Sequence, residues 1–182
     1  MTNSLLRGMV TVFGLACVAG GMAVGAEDRS AAIQLEADGK TAEAAALYER
    51  LAADAADPAA RSDLLLRAAW AAERLKEGDR AEALAAAIPL APVSAYCRLW
   101  LLTERRRFQD LWAAFADEDI RAWPERAGTN VFGLLPPLSP DTAGTPESVL
   151  GNAFRMRGMA AQALGKGDAA AADLEAAGAL LP

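Results

Sequence analysis

Gly39-Lys40-Thr41-Ala42-Glu43-Ala44 and Gly78-Asp79-Arg80-Ala81-Glu82-Ala83 share one pattern, G-x-x-A-E-A, and each follows a stretch of helical periodicity. Gly165-Lys166-Gly167-Asp168-Ala169-Ala170 repeats the glycine-to-alanine separation. Self-similarity on this scale outranks any single-residue motif, because it signals stacked supersecondary units. The unit here reads as a helical hairpin. Glycine ends the first helix by taking a left-handed turn. Acidic or small residues open the second helix, and a small alanine lets the two approach.

The flanking residues carry helix periods. Ala44, Leu47, Tyr48 and Leu51 lie at i, i+3, i+4 and i+7. Leu64, Ala68, Ala71 and Leu75 form a second face; Ala81, Leu84, Ala85 and Ile88 a third. Phe108, Leu111, Trp112 and Phe115 repeat the spacing, as do Ala170, Leu174, Ala177 and Leu181 at the end of the chain. Asp57-Pro58 and Thr145-Pro146 each place a capping residue before a proline at the first helical position. Asp79 with Glu82 reads as a capping box. Residues 119–146 break the pattern with Pro124, Pro136, Pro137, Pro140 and Pro146, and with Gly128, Gly133 and Gly144. This stretch is expected to be a functional loop or a linker. Its apolar centre, Val131 to Leu135, is expected to pack on the helices, and Ser139-Pro140 to start a short turn.

Composition agrees with an all-α chain. Of 182 residues 53% are hydrophobic and only 6% aromatic, with alanine supplying much of the former. Alanine favours close-packed helices. Net charge is −6, which argues against nucleic acid as a partner. The absence of histidine removes histidine bases, Ser-His and Cys-His pairs and histidine metal sites. Residues 1–26 read as a secretory leader: Arg7, an uncharged run from Gly8 to Gly25, then small Val24-Gly25-Ala26 before Glu27 and Asp28. Cleavage after Ala26 leaves 17 basic against 24 acidic residues and only Cys97 of the two cysteines. It places the chain in the periplasm or outside the cell. The alternatives are an inner-membrane anchor at residues 8–25 and lipid attachment at Cys17 in Leu15-Ala16-Cys17.

The C-terminal stretch resembles a tetratricopeptide repeat: Phe154, Gly158, Ala161, Ala170, Leu174, Ala177 and Pro182 match the family's positions without a gap. Trp70, Ala71 and Ala83 match around Gly78, with Arg74 at a usual aromatic position. Ala44 and Tyr48 match in the first hairpin, with Pro58 displaced. From Val93 to Glu118 the match weakens, and Arg105-Arg106-Arg107 stands for the glycine turn. The resemblance implies an α-solenoid of antiparallel hairpins: hairpins over 27–118, the loop over 119–146, and a last hairpin over 147–182. It also implies a non-enzymatic exported scaffold, without cofactor or metal, that binds a partner protein or peptide on first helices lining a groove. On those helices stand Tyr96, Trp100, Arg67, Arg74 and Arg98. Only Asn130 and Asn152 remain in the mature chain, so the family's asparagine-lysine carboxylate clamp is not expected. The rival reading is an assembly part that self-associates or caps a larger envelope complex.

Other motifs read blandly. Gly39-Lys40-Thr41 lacks the P-loop glycine, since Gln34 stands there, and is expected to be a turn. Asp117-Glu118-Asp119 lacks EF-hand spacing and is expected to be a solvated helix end. Arg105-Arg106-Arg107 is expected to be an exposed turn, and Cys97 a buried core residue. Trp70 and Trp112 are expected to fill the core. Trp100 and Trp123 could fill the core or anchor a partner. An enzyme using paired carboxylates is the third reading, and no pair stands out from the surface acids.

Overall fold

The computed structural model describes residues 19–127, 131–133, 135 and 145–181. Among these the chain is all-α, with no strand. The helices pair as α1 (Ala19–Ala37) with α2 (Thr41–Asp54), α3 (Pro58–Arg74) with α4 (Gly78–Ala86), α5 (Ala91–Glu104) with α6 (Phe108–Phe115), and α8 (Pro146–Ala163) with α9 (Gly167–Leu180). A short helix, α7 (Trp123–Ala127), lies between the third and last pairs. Residues 1–18 of the expected leader are outside the described residues. α1 runs through Ala26, and no described helix is long and apolar enough to cross a membrane.

One turn recurs in all four hairpins. Gly39, Lys76, Arg106 and Gly165 hold φ of 75°, 65°, 54° and 70°. In each case two amide N–H groups reach back to the carbonyls left over at the helix end. Gly39 and Lys40 donate to Glu36 and Leu35 (3.1 and 2.9 Å). Lys76 and Glu77 donate to Glu73 and Ala72 (both 2.9 Å). Arg106 and Arg107 donate to Thr103 and Leu102 (both 2.9 Å), and Gly165 and Lys166 to Gln162 and Ala161 (3.1 and 2.9 Å). This is the Schellman arrangement.

The turn corrects the register read from the sequence. Gly78 is not the counterpart of Gly39: it is the first residue of α4, and Lys76 holds the left-handed position. The buried residue five positions after each turn residue is therefore Ala44, Ala81, Leu111 or Ala170, at 0%, 0%, 0% and 5% exposure. Ala83, expected to be the close-packed alanine, is exposed. The expected Asp79–Glu82 capping box is also not formed, because the cap of α4 is Glu77 and its side chain makes no capping bond. The other two start signals are formed. Asp57 accepts from Ala59 and Ala60 N–H, and Thr145 and Ser148 make a reciprocal box.

Packing follows chain order. α2 packs on α1 and α3, α4 on α3 and α5, and α6 on α5 and α8. The first helices also meet in sequence, α3 on α5 and α5 on α8. Small side chains allow this: Ala44, Ala68, Ala69, Ala85, Ala153 and Ala160 are fully buried. A β-carbon on Gly158 would stand 3.0 Å from Leu174 Cγ and 3.1 Å from Asp173 Cβ, so α8 and α9 touch along that line.

The expected loop is partly structured. A 3-10 turn at Ile120–Ala122, then α7, then a second 3-10 turn at Val131–Gly133 occupy its described part. Pro124 is no obstacle, because it is the second residue of α7, where an amide N–H has no helical acceptor. Ile120, Trp123, Ala127, Val131, Phe132 and Leu135 are all at most 6% exposed, so this segment packs on the helices as expected. The expected turn at Ser139-Pro140 lies outside the described residues.

Candidate functional site

The segment from Ile120 to Leu135 decides which surfaces are open. Its first turn packs on α8, α7 on α5, and its second turn on α3 and α8. All three are first helices of their hairpins, the helices expected to line a partner groove. Five large side chains and one alanine are buried there, on the order of 10 kcal/mol of gross apolar stabilisation at about 1.5–3 kcal/mol each. An incoming peptide would have to replace that in competition with a segment already tethered in place.

Glu118 anchors the start of this segment. Its carboxylate accepts from Trp123 Nε1 at 2.9 Å and from Arg126. Its backbone carbonyl accepts from Arg157 Nη1 at 2.7 Å. The Trp123 N–H, with Arg126 beside it, holds the carboxyl below its ordinary range. The expected solvated helix end holds for Asp117 and Asp119, which are exposed, whereas half-buried Glu118 is a structural junction. Arg157 also donates to Phe115 O (3.0 Å) and grips Asp173 with two bonds of 2.8 Å, tying the last hairpin to the end of α6.

The five expected partner-binding residues fare differently. Tyr96 is fully buried, and burial raises its phenol pKa. It therefore has no surface to offer a partner. Trp100 is half-buried and packs on Trp70, with ring centroids 4.9 Å apart. Aromatic residues on a first helix serve a groove or the contact between hairpins equally well in sequence; here they serve the contact. Trp70 Nε1 and Tyr96 Oη are buried without a hydrogen-bond partner among the described residues. Arg67 is also occupied: it donates to Asp63 at 3.0 Å and lies over the Tyr48 ring at 5.9 Å. Arg74 pairs with Glu36. Glu36 also accepts from Tyr48 Oη at 3.0 Å, and Tyr48 is pushed up to about 12, by burial first and the Glu36 charge second. Asp63, almost fully buried, bonds Arg29 as well at 2.9 Å, so these charges join α1 to α3.

Arg98 alone of the five stands exposed without an ion pair among the described residues. It lines an open depression of about 570 Å³ with Asp79, Leu102, Arg107, Asp110 and Ala114. Arg105, Arg107, Glu82 and Asp110 in its lining are already paired. Arg105 bonds Glu73 (2.6 Å), Glu82 (2.9 Å) and Gly78 O (3.1 Å), and the Glu73 bond raises its pKa. Arg107 bonds Asp110 at 2.7 Å. The expected exposed arginine turn therefore holds for Arg106 and Arg107, whereas Arg105 is half-buried. Its contacts with Glu73 and Gly78 span some thirty residues and leave no local signal in the sequence.

The remaining candidates are core or surface. Cys97 is fully buried and its thiol pKa is raised by burial, so it stays protonated. Trp70 and Trp123 are buried; Trp112 is half-buried with Lys166 over its ring at 5.2 Å. Among the described residues no group of three or more Asp, Glu, Cys or His is placed to hold a metal. Comparison with known proteins gives no further lead: no family model, no curated protein and no solved structure matches the chain.

Proposed function

We propose that this chain is a non-enzymatic scaffold of the bacterial cell envelope, a tetratricopeptide-like α-solenoid that binds a partner protein or peptide. The observation carrying the docking site is Arg98, an exposed guanidinium without an ion pair among the described residues, in a depression between α4, α5 and α6. The apolar wall of Leu102, Ala113 and Ala114 and the fork of Arg98 suit a partner segment with a carboxylate beside aliphatic side chains. The docking surface is thus displaced from the first-helix face, which the chain's own segment occupies. The leader-like residues 1–26 support export, and periplasmic or secreted placement follows from them.

The test is capture from an envelope extract on the immobilised full chain, beside Arg98→Glu. A discrete protein retained by the native chain and lost on the variant is expected. Identical retention on both would sink this docking site. The rival reading, a self-associating assembly subunit, draws on one observation, the exposed Met159 and Leu174 on the last hairpin. Sedimentation across a range of concentrations separates the two.

A further inference from the structure

Arg98 shares its depression with a second free charge of the opposite sign. Asp79 lines the same hollow from the first turn of α4. It is exposed and, like Arg98, has no ion pair among the described residues. The other ionic side chains of the lining are held. Arg105 bonds Glu82 at 2.9 Å and, outside the lining, Glu73 at 2.6 Å, and Arg107 bonds Asp110 at 2.7 Å. The backbone beside Asp79 is held as well. The Gly78 carbonyl accepts from Arg105 Nη2 at 3.1 Å, which ties the start of α4 to the end of α5, and the two helices pack on each other. The two free charges therefore stand on elements fixed relative to one another.

Charge balance decides what this pair can take. Arg98, Arg105 and Arg107 line the depression with Asp79, Glu82 and Asp110, and Glu73 joins them through its bond to Arg105. Carboxylates thus outnumber guanidiniums, four against three. A segment bringing only a carboxylate to Arg98 adds to the sign already in excess. It also strips water from Asp79 and gives it no partner. A segment bringing only a cation does the same to Arg98. The lining cannot cheaply re-pair to suit either one, because freeing Arg105 or Arg107 breaks bonds already made.

We infer that the depression takes a protein segment carrying both signs, an acidic side chain for Arg98 and a basic one for Asp79, together with an aliphatic residue for Leu102, Ala113 and Ala114. The inference rests on the docking reading and names the chemistry of the partner. The probe is a random-peptide display library selected on the immobilised full chain. One retained peptide is then synthesised, labelled and titrated by fluorescence anisotropy. The retained peptides are expected to share an acidic, a basic and an aliphatic residue. Asp79→Lys should weaken the synthetic peptide about fivefold or more, as an exposed attraction becomes a repulsion. The same peptide with glutamate in place of its basic residue should recover that loss on Asp79→Lys. Asp79→Asn gives a milder loss, and far-UV circular dichroism checks that each variant folds. Retained peptides without a basic residue overturn the inference. So does an Asp79→Lys effect that stays the same when glutamine replaces the peptide's basic residue. In both cases loss of binding on Arg98→Glu leaves the docking site standing. No enrichment over a blank surface, or binding indifferent to Arg98→Glu, overturns the docking site and this inference with it.

Discussion

Lys76 and Arg106 hold a backbone conformation that glycine holds at the other two turns. An L side chain with positive φ carries a strain of about 1 kcal/mol or more. Lys76 is exposed and has no ion pair among the described residues, so Lys76→Gly removes the strain and little else. The expected result is a gain of about 1 kcal/mol, read as a rise of roughly 2–4 °C in the melting midpoint. Gly165→Ala is the reverse experiment. A β-carbon there meets nothing within 4 Å, so the expected loss of about 1 kcal/mol comes from backbone conformation alone. A second residue-scale prediction concerns Glu118, whose carboxyl is held below its ordinary value of 4.5 chiefly by the Trp123 N–H. A depressed folded value means that the unfolded state takes up protons first. The stabilisation is complete above the ordinary value and is lost as pH falls through the folded one. Glu118→Gln should therefore flatten the acid side of a urea-midpoint profile while leaving its neutral plateau nearly level. An unchanged acid slope in the variant would remove Glu118 from the account.

At the scale of elements, hairpins were legible wherever a local rule governs. Asp57-Pro58 and Thr145-Pro146 announce α3 and α8, and each cap is formed. Gly39 and Gly165 announce their turns because glycine is the residue that takes positive φ freely. Lys76 and Arg106 give no such signal, and Gly78, two residues past its turn, misplaced the register of α4. Arg98 was legible as an exposed first-helix cation, but its depression lies between α4, α5 and α6 rather than in a first-helix groove. What joins elements across the chain was not legible at all. Arg157 binds Asp173 sixteen residues away and two carbonyls about forty residues away, and no spacing rule foretells either. The side chains of Arg157 and Asp173 are only 12% and 9% exposed. Arg157→Met would leave Asp173 nearly buried and unpaired and two carbonyls without a donor. A destabilisation of about 3–5 kcal/mol is expected, measured by denaturant titration. Arg107→Met removes a pair that is half exposed on both sides and should change stability by less than about 1 kcal/mol. Equal effects of the two substitutions would contradict this ranking.

For the whole molecule, the question is whether the Ile120–Leu135 segment belongs to the core or merely covers it. It packs on α3, α5 and α8 at once, so it bridges three hairpins. Trp123 is its largest buried side chain and is bonded to Glu118 through its ring N–H. If the segment is part of one cooperative unit, Trp123→Ala leaves a cavity at the junction of α7 and α5. The whole chain should then lose about 3–5 kcal/mol. Far-UV circular dichroism and tryptophan fluorescence should still report one shared, lowered transition. A detachable cover behaves otherwise: Trp123→Ala would make residues 119–135 cleavable by protease while the hairpins melted where they did before. Only then would the first-helix face open to a partner. With the coincident transition, that face is interior in every folded molecule. Any partner docking would then fall to surfaces that the segment leaves exposed, of which the proposed one is the Arg98 depression.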